Sequence, residues 1–142
     1  MIATSAIMPF RIETKSPFLR IVAEGRITGA DLADLLGEVE HVEEGLQRIP
    51  DRVIDFSAVA LDTNFRTMLE LASRRVSRVF PNSFRSAIVA PTPATMGFAR
   101  MFQTLNDNPQ IVVAIFGDDE SALQWLRLAG VRPPEVAWHP SR

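Results

Sequence analysis

The chain has no cysteine and no tyrosine, only two histidines, and one lysine beside fourteen arginines. Without cysteine there can be no disulfide, thiol nucleophile or thiolate metal site. No run approaches the roughly 20 apolar residues that a membrane span requires. Met1 to Phe10 lacks the basic start and long apolar core of a signal peptide, so a soluble, cytoplasmic protein is expected. A net charge of −2 gives no electrostatic case for nucleic acid as a partner. Neither a Gly-x-Gly-x-x-Gly fingerprint nor a Gly-Lys-Ser/Thr loop is present, which leaves a conventional nucleotide cradle unsupported. There is no internal repeat, low-complexity stretch or linker. The 142 residues fit one domain, 1–142, large enough to bury roughly two thirds of the unfolded surface.

What is present is a regular alternation of apolar runs and amphipathic stretches. Phe10 to Thr14 and Phe18 to Ala23 predict an antiparallel hairpin around Lys15, Ser16 and Pro17. Thr28 with Asp31 is a capping-box variant, and the stripe Leu32, Leu35, Leu36, Val39, Val42 predicts a helix stopped by Gly45. Val53 to Phe56 predicts a strand, followed by a short loop. A second helix is expected to carry Phe65, Met68, Leu69, Ala72, Val76, Val79 and Phe80 on one face and to end at Pro81 and Asn82. Ser86 to Ala90 predicts a strand, and Thr92 with Pro93 opens a third helix running to about Asn106. Ile111 to Phe116 is the most strand-like segment, and Asp118 caps a last helix with Ala122, Leu123, Trp125 and Leu126. From about residue 131 the proline-containing tail is expected to be extended. Apolar strands alternating with helices imply a mostly parallel sheet covered by helices.

This order, with the segment AIVAPTPATMGFARMFQTLNDNPQIVVAIFGDDESALQWL, resembles the stand-alone bacterial STAS/SEC14-like domains, the SpoIIAA-like group related to anti-sigma-factor antagonists. The resemblance covers most of the chain and is most specific from the Ser86–Ala90 strand to the ALQWL helix. It implies an α/β fold with a mostly parallel five-stranded sheet, an antiparallel N-terminal strand and four helices. It also implies a non-enzymatic domain used in regulation, ligand binding or protein association. In phospho-regulated members a serine or threonine at the start of the helix after the third strand is the phosphoacceptor, in an Asp-Ser-Ser-Gly-Leu-like setting. Asp62 and Thr63 match the first two positions, whereas Asn64 and Phe65 do not, and the loop after Phe56 is about one residue short.

Each candidate residue has a plain structural reading beside its chemical one. Thr63 is either a phosphoacceptor or, with Asp62, the cap of the helix that follows. Glu38 and His41 have the Glu-x-x-His spacing of carboxylate-bridged metal sites. They lack a second such motif, and with Asp34 beside them they read as a solvated face, so no metal is expected. Asp118, Asp119 and Glu120 could meet a magnesium ion, and they are also what a helix start prefers. Pro93, Met96, Phe98 and Met101, bordered by Arg100, form either core packing or an apolar groove for a lipid-like ligand or partner surface. Arg74, Arg75 and Arg78 read as a solvated face or as contacts for an anionic partner or phospholipid headgroups, and Trp138 as an interface anchor or a residue folded back on its own domain.

With no nucleophile and base, metal set or cofactor motif in view, no enzymatic activity and no cofactor are expected. The expected function is a non-catalytic regulatory module that binds another protein or itself as a homodimer. The alternative is a carrier or sensor of a small apolar or lipid-like ligand.

Overall fold

The structure is a computed structural model that describes residues 9–14 and 17–131. Five strands and four helices alternate after an initial hairpin: β1 (Phe10–Glu13), β2 (Leu19–Thr28), α1 (Gly29–Glu44), β3 (Arg52–Asp62), α2 (Phe65–Val76), β4 (Phe84–Val89), α3 (Pro93–Leu105), β5 (Ile111–Phe116) and α4 (Asp119–Val131). The strands lie side by side in chain order, β1 antiparallel to β2 and every later pair parallel. α1, α2 and α3 pack on one face and α4 on the other, as successive crossovers in one direction require.

Strand alternation assigns the two cores. Leu19, Ile21, Phe56 and Ile88 turn toward the three helices and join Leu32, Leu35, Val39, Met68, Leu71 and Ala99. Val53, Ala87 and Val89 turn the other way, against Ala122 and Leu126 of α4. α1 lies over β2, and α3 lies over β3 and β5, while α2 rests chiefly on α1 and α3. α2 thus bridges its neighbours more than it touches the sheet.

Three expectations from the sequence are corrected. First, the segment after Phe56 is strand: β3 continues to Asp62, with Ala58–Asp62 paired to Glu24–Thr28 of an equally extended β2. β4 pairs only with Arg52–Asp55, so this arm is two-stranded. Between Val22 and Glu24 the register shifts, because three steps of β3 oppose two of β2, a bulge that bends the arm away. Gly25 in β2 holds φ +80°, a conformation that glycine adopts readily.

Second, α2 ends at Val76, one turn before the expected Pro81. The buried Asn108 side chain donates to the carbonyls of Arg75 at 2.7 Å and Arg78 at 2.8 Å, holding the chain in a turn there. Third, the buried stripe of α2 is Met68, Leu71, Ala72 and Arg75, rotated from the expected face. Phe65, Leu69, Val76 and Val79 are exposed. The Thr28–Asp31 capping box, the Gly45 stop, the Thr92–Pro93 start and the Asp118 cap all occur as read.

At the β5 edge of the sheet, side-chain amides fill two outward carbonyls. The carbonyls of Gln110 and Phe116 face β4, accepting from Phe84 and Ala90 at 2.8 Å each, so alternation turns those of Ile111 and Val113 outward. Asn106 donates to Ile111 at 3.0 Å and Gln103 to Val113 at 2.9 Å. Filling edge carbonyls in this way removes positions where another strand could add.

Candidate functional site

At the end of β3, Asp62 is exposed and pairs with Arg26 of β2. The cap of α2 is neither Asp62 nor Thr63: Asn64 takes the extended conformation, and its Oδ1 accepts the Thr67 N–H at 2.9 Å. Once β3 runs on to Asp62, the helix can begin only after a further turn of backbone, and Asn64 is the capping side chain left in register. Thr63 is half-buried, and its hydroxyl oxygen is shielded from solvent with no hydrogen-bond partner among the described residues. It sits against Gly29 at the start of α1, where an added Cβ would lie 3.3 Å from Thr63 Oγ1 and 2.8 Å from Thr67 Cγ2.

The residues expected to border an apolar groove separate. Pro93 and Arg100 are exposed, while Met96 and Met101 are half-buried and pack on the core. Phe98 turns inward, edge-on to Phe56 with ring centroids 5.3 Å apart. Trp138 and the expected extended tail lie outside the described residues. On α1, Glu38 and His41 are exposed. Asp118 caps α4 through the Ser121 N–H at 2.7 Å, which holds its carboxyl below the usual range, and Asp119 receives Arg20 of β2 at 2.8 and 3.0 Å.

Acidic residues of α1 and arginines of α2, far apart in the sequence, meet between the two helices. At the surface, Glu40 receives Arg74 at 2.8 Å and Arg78 at 3.3 Å. One turn further along, the pairing is buried. Glu43 accepts Arg75 Nη1 and Nη2 at 2.9 Å each, and Arg52 Nη1, from the first residue of β3, at 2.7 Å. The expected solvated face is therefore corrected for Arg75, which is 5% exposed. Burial pushes the Glu43 carboxyl up, but the Arg75 hydrogen bonds and the charges of Arg52 and Arg75 bring it below the ordinary value. Burial lowers the Arg52 guanidinium to about 10, with the Glu43 charge acting in the opposite sense. The Arg52 guanidinium carbon stands 4.1 Å from the Phe84 ring centroid, and that of Arg75 stands 5.2 Å from Phe80.

Beneath α2 this cluster borders a cavity of about 110 Å³. Leu35 and Leu36 of α1, Leu71 of α2, Phe98 and Phe102 of α3 and Ile54 of β3 form much of its wall, and Arg52, Arg75 and Ser86 are its polar members. Arg52 and Ser86 are register partners on β3 and β4, and Ile54 and Phe56 continue the Arg52 face by alternation.

These layers and this strand order have counterparts among solved structures. An uncharacterized protein of the DUF3478 family with a SpoIIAA-like fold, from Shewanella loihica PV-4, aligns with 82% of this chain and 91% of its own at 21% identity and a TM-score of 0.54. The chain has a SpoIIAA-like fold. The phosphorylated form of SpoIIAA, a Bacillus cell fate determinant, aligns with 83% of this SpoIIAA-like chain and 99% of its own, at 14% identity and a TM-score of 0.47. No protein-family model and no curated protein sequence matches the chain. Among the described residues no helix is long and apolar enough to cross a membrane.

Sequence reasoning missed Arg52 and Glu43 and left Arg75 on a solvated face. One signal was available: Arg52 shares strand parity with Ile54 and Phe56, which puts an arginine on a core-facing row.

Proposed function

We propose that this SpoIIAA-like chain is a non-catalytic regulatory module of the STAS type that acts by binding another protein, a second copy of itself included. The supporting observation is the outward stripe of α2. Phe65, Leu69 and Val76 fall within a narrow arc of the helix, and Val79 follows, 87% exposed. Large apolar side chains grouped on one exposed face favour association, because covering them removes apolar surface from water. The stripe starts two residues after Thr63, so a change at the β3–α2 junction would move it directly. A photo-crosslinking residue at Leu69 in the native host, compared with one at His41 on α1, tests this reading. One dominant adduct at Leu69 and none at His41 is expected. Equal or absent crosslinking at both positions would sink it.

A second reading, a carrier or sensor of a small apolar ligand, draws its support from the cavity beneath α2.

A further inference from the structure

The wall of that cavity is chemically incomplete at one residue. Arg75 commits both terminal nitrogens to Glu43, whereas Arg52 commits only Nη1. Arg52 Nε and Nη2 are shielded from solvent and donate to no described group. These two N–H groups lie on the same side of a guanidinium plane, forming a parallel fork spaced to meet the two oxygens of a carboxylate.

The charge is unbalanced in the same place. Two guanidinium groups share the single carboxylate of Glu43, which leaves one positive charge in excess where the side chains of Arg52 and Glu43 are 2% and 1% exposed. Neighbouring acids are already committed. Asp51 accepts the Arg85 backbone N–H at 2.8 Å and faces its guanidinium at 3.7 Å, and Glu40 is held by Arg74 and Arg78. The Phe84 ring face offsets part of the Arg52 charge but supplies no in-plane acceptor for the fork. Water could fill space, since one molecule occupies about 30 Å³ of liquid. It would meet walls that are apolar apart from Arg52, Arg75 and Ser86, and it would bring no negative charge.

We infer that the cavity is a binding site for a small monocarboxylate with a compact apolar tail. The carboxylate meets Arg52 Nε and Nη2 once a side-chain shift uncovers these two donors to the cavity that Arg52 lines, and the tail lies among Leu35, Leu36, Ile54, Phe98 and Phe102. This rests on the ligand-binding reading above and adds the chemical class. Cavities of about 150 Å³ accept benzene, so 110 Å³ suits a tail of about four or five carbons. A single charge is specified by the imbalance, because a second carboxylate would enter the apolar wall unpaired.

The test titrates the full chain with isovalerate and with its neutral counterpart, isoamyl alcohol, following backbone, side-chain methyl and arginine Nε–H resonances by NMR. The expected result is saturable isovalerate binding that moves the Arg52 Nε–H and the methyls of Leu35, Leu36 and Ile54, with the alcohol at least about tenfold weaker. Arg52→Met should lower isovalerate affinity at least about tenfold while leaving the alcohol within about threefold. Equal affinity for both probes, or isovalerate binding that leaves the Arg52 Nε–H unmoved, would overturn the carboxylate assignment and leave the apolar cavity reading standing. Silence of the cavity resonances toward both probes would overturn the two together. Because the Arg52 Nε–H is followed in the unsubstituted protein, the outcome does not depend on the variant folding.

Discussion

Glu43 on α1 receives both terminal nitrogens of Arg75 on α2 at 2.9 Å, and Arg52 of β3 reaches the same carboxylate at 2.7 Å. Three elements that share no short-range sequence signal are thereby tied at one buried point. A buried pair adds little net stability over apolar packing, yet removing one partner leaves the others uncompensated. Glu43→Gln would strand two guanidinium groups and is expected to cost ~3–5 kcal/mol in urea unfolding. Glu40→Gln, at the half-exposed Arg74 and Arg78 contacts, should cost under about 1 kcal/mol. A Glu43→Gln loss as small as that would mean the cluster is hydrated.

The same carboxylate sets a pH dependence. Its folded-state value lies below the ordinary 4.5, because Arg75 and Arg52 outweigh the upward push of burial. A carboxyl depressed in the folded state adds stability that is fully present above the unfolded value and is lost as pH falls through the folded one. Unfolding free energy should therefore drop as pH falls below about 4.5, and Glu43→Gln should lack that share of the drop. Parallel acid limbs for the two proteins, measured by urea titration at several pH values, would assign the drop to other carboxylates.

How far the sequence was legible depended on whether the information was local. The Thr28–Asp31 capping pair, the Thr92–Pro93 helix start, the Gly45 stop and the strand Ile111–Phe116 are each written within a few residues, and each was readable. The second half of β3 was not, because Ala58–Asp62 pairs only with β2 and carries the mixed exposure of a two-stranded arm. The α2 cap followed that error, since Asp62 and Thr63 were placed beyond a strand that in fact includes Asp62. The rotation of α2 could not be read at all: Arg75 is buried because Glu43 lies 32 positions earlier, and no periodicity carries that relation. Strand parity with Ile54 and Phe56 could have shown that Arg52 faces the core, but not that Glu43 takes up only one of its nitrogens.

Gly29 marks a close approach between α1 and α2. An alanine Cβ there would stand 2.8 Å from Thr67 Cγ2, so the methyl or a helix must shift. Alanine ordinarily favours a helix over glycine by ~1 kcal/mol, and the clash should reverse that preference. Gly29→Ala is expected to destabilise by ~1–2 kcal/mol. Thr67→Ser, which deletes Cγ2 and keeps the backbone N–H that Asn64 accepts, should recover most of the loss. A double-mutant cycle checks this, with a coupling of at least ~0.5 kcal/mol expected. Strict additivity would show that the two helices separate freely at this point.

Thr63 carries the last prediction, because the capping role falls to Asn64 while the Thr63 hydroxyl oxygen is shielded from solvent. Asn64 is the cap, so Asn64→Ala should lower stability by ~1 kcal/mol. The Thr63 hydroxyl oxygen is buried and unpaired, so Thr63→Val, which puts a methyl in its place, should be neutral or mildly stabilising. Thr63→Asp should cost more than about 2 kcal/mol, since a carboxylate would be forced against Gly29 without a partner. A phosphate adds about −1.5 to −2 charge and is larger still. Accepting it would require the β3–α2 junction to part from Gly29 at the start of α1. Unfolding curves for the three variants, set beside phosphopeptide mass spectrometry of protein from its host, decide the matter. The expected order is Thr63→Val most stable, Asn64→Ala next and Thr63→Asp least, with no phosphate at Thr63. Substantial phosphate there, together with a Thr63→Asp chain as stable as the parent, would mean that the junction opens readily and that Thr63 is a switch whose closed form buries its own acceptor oxygen.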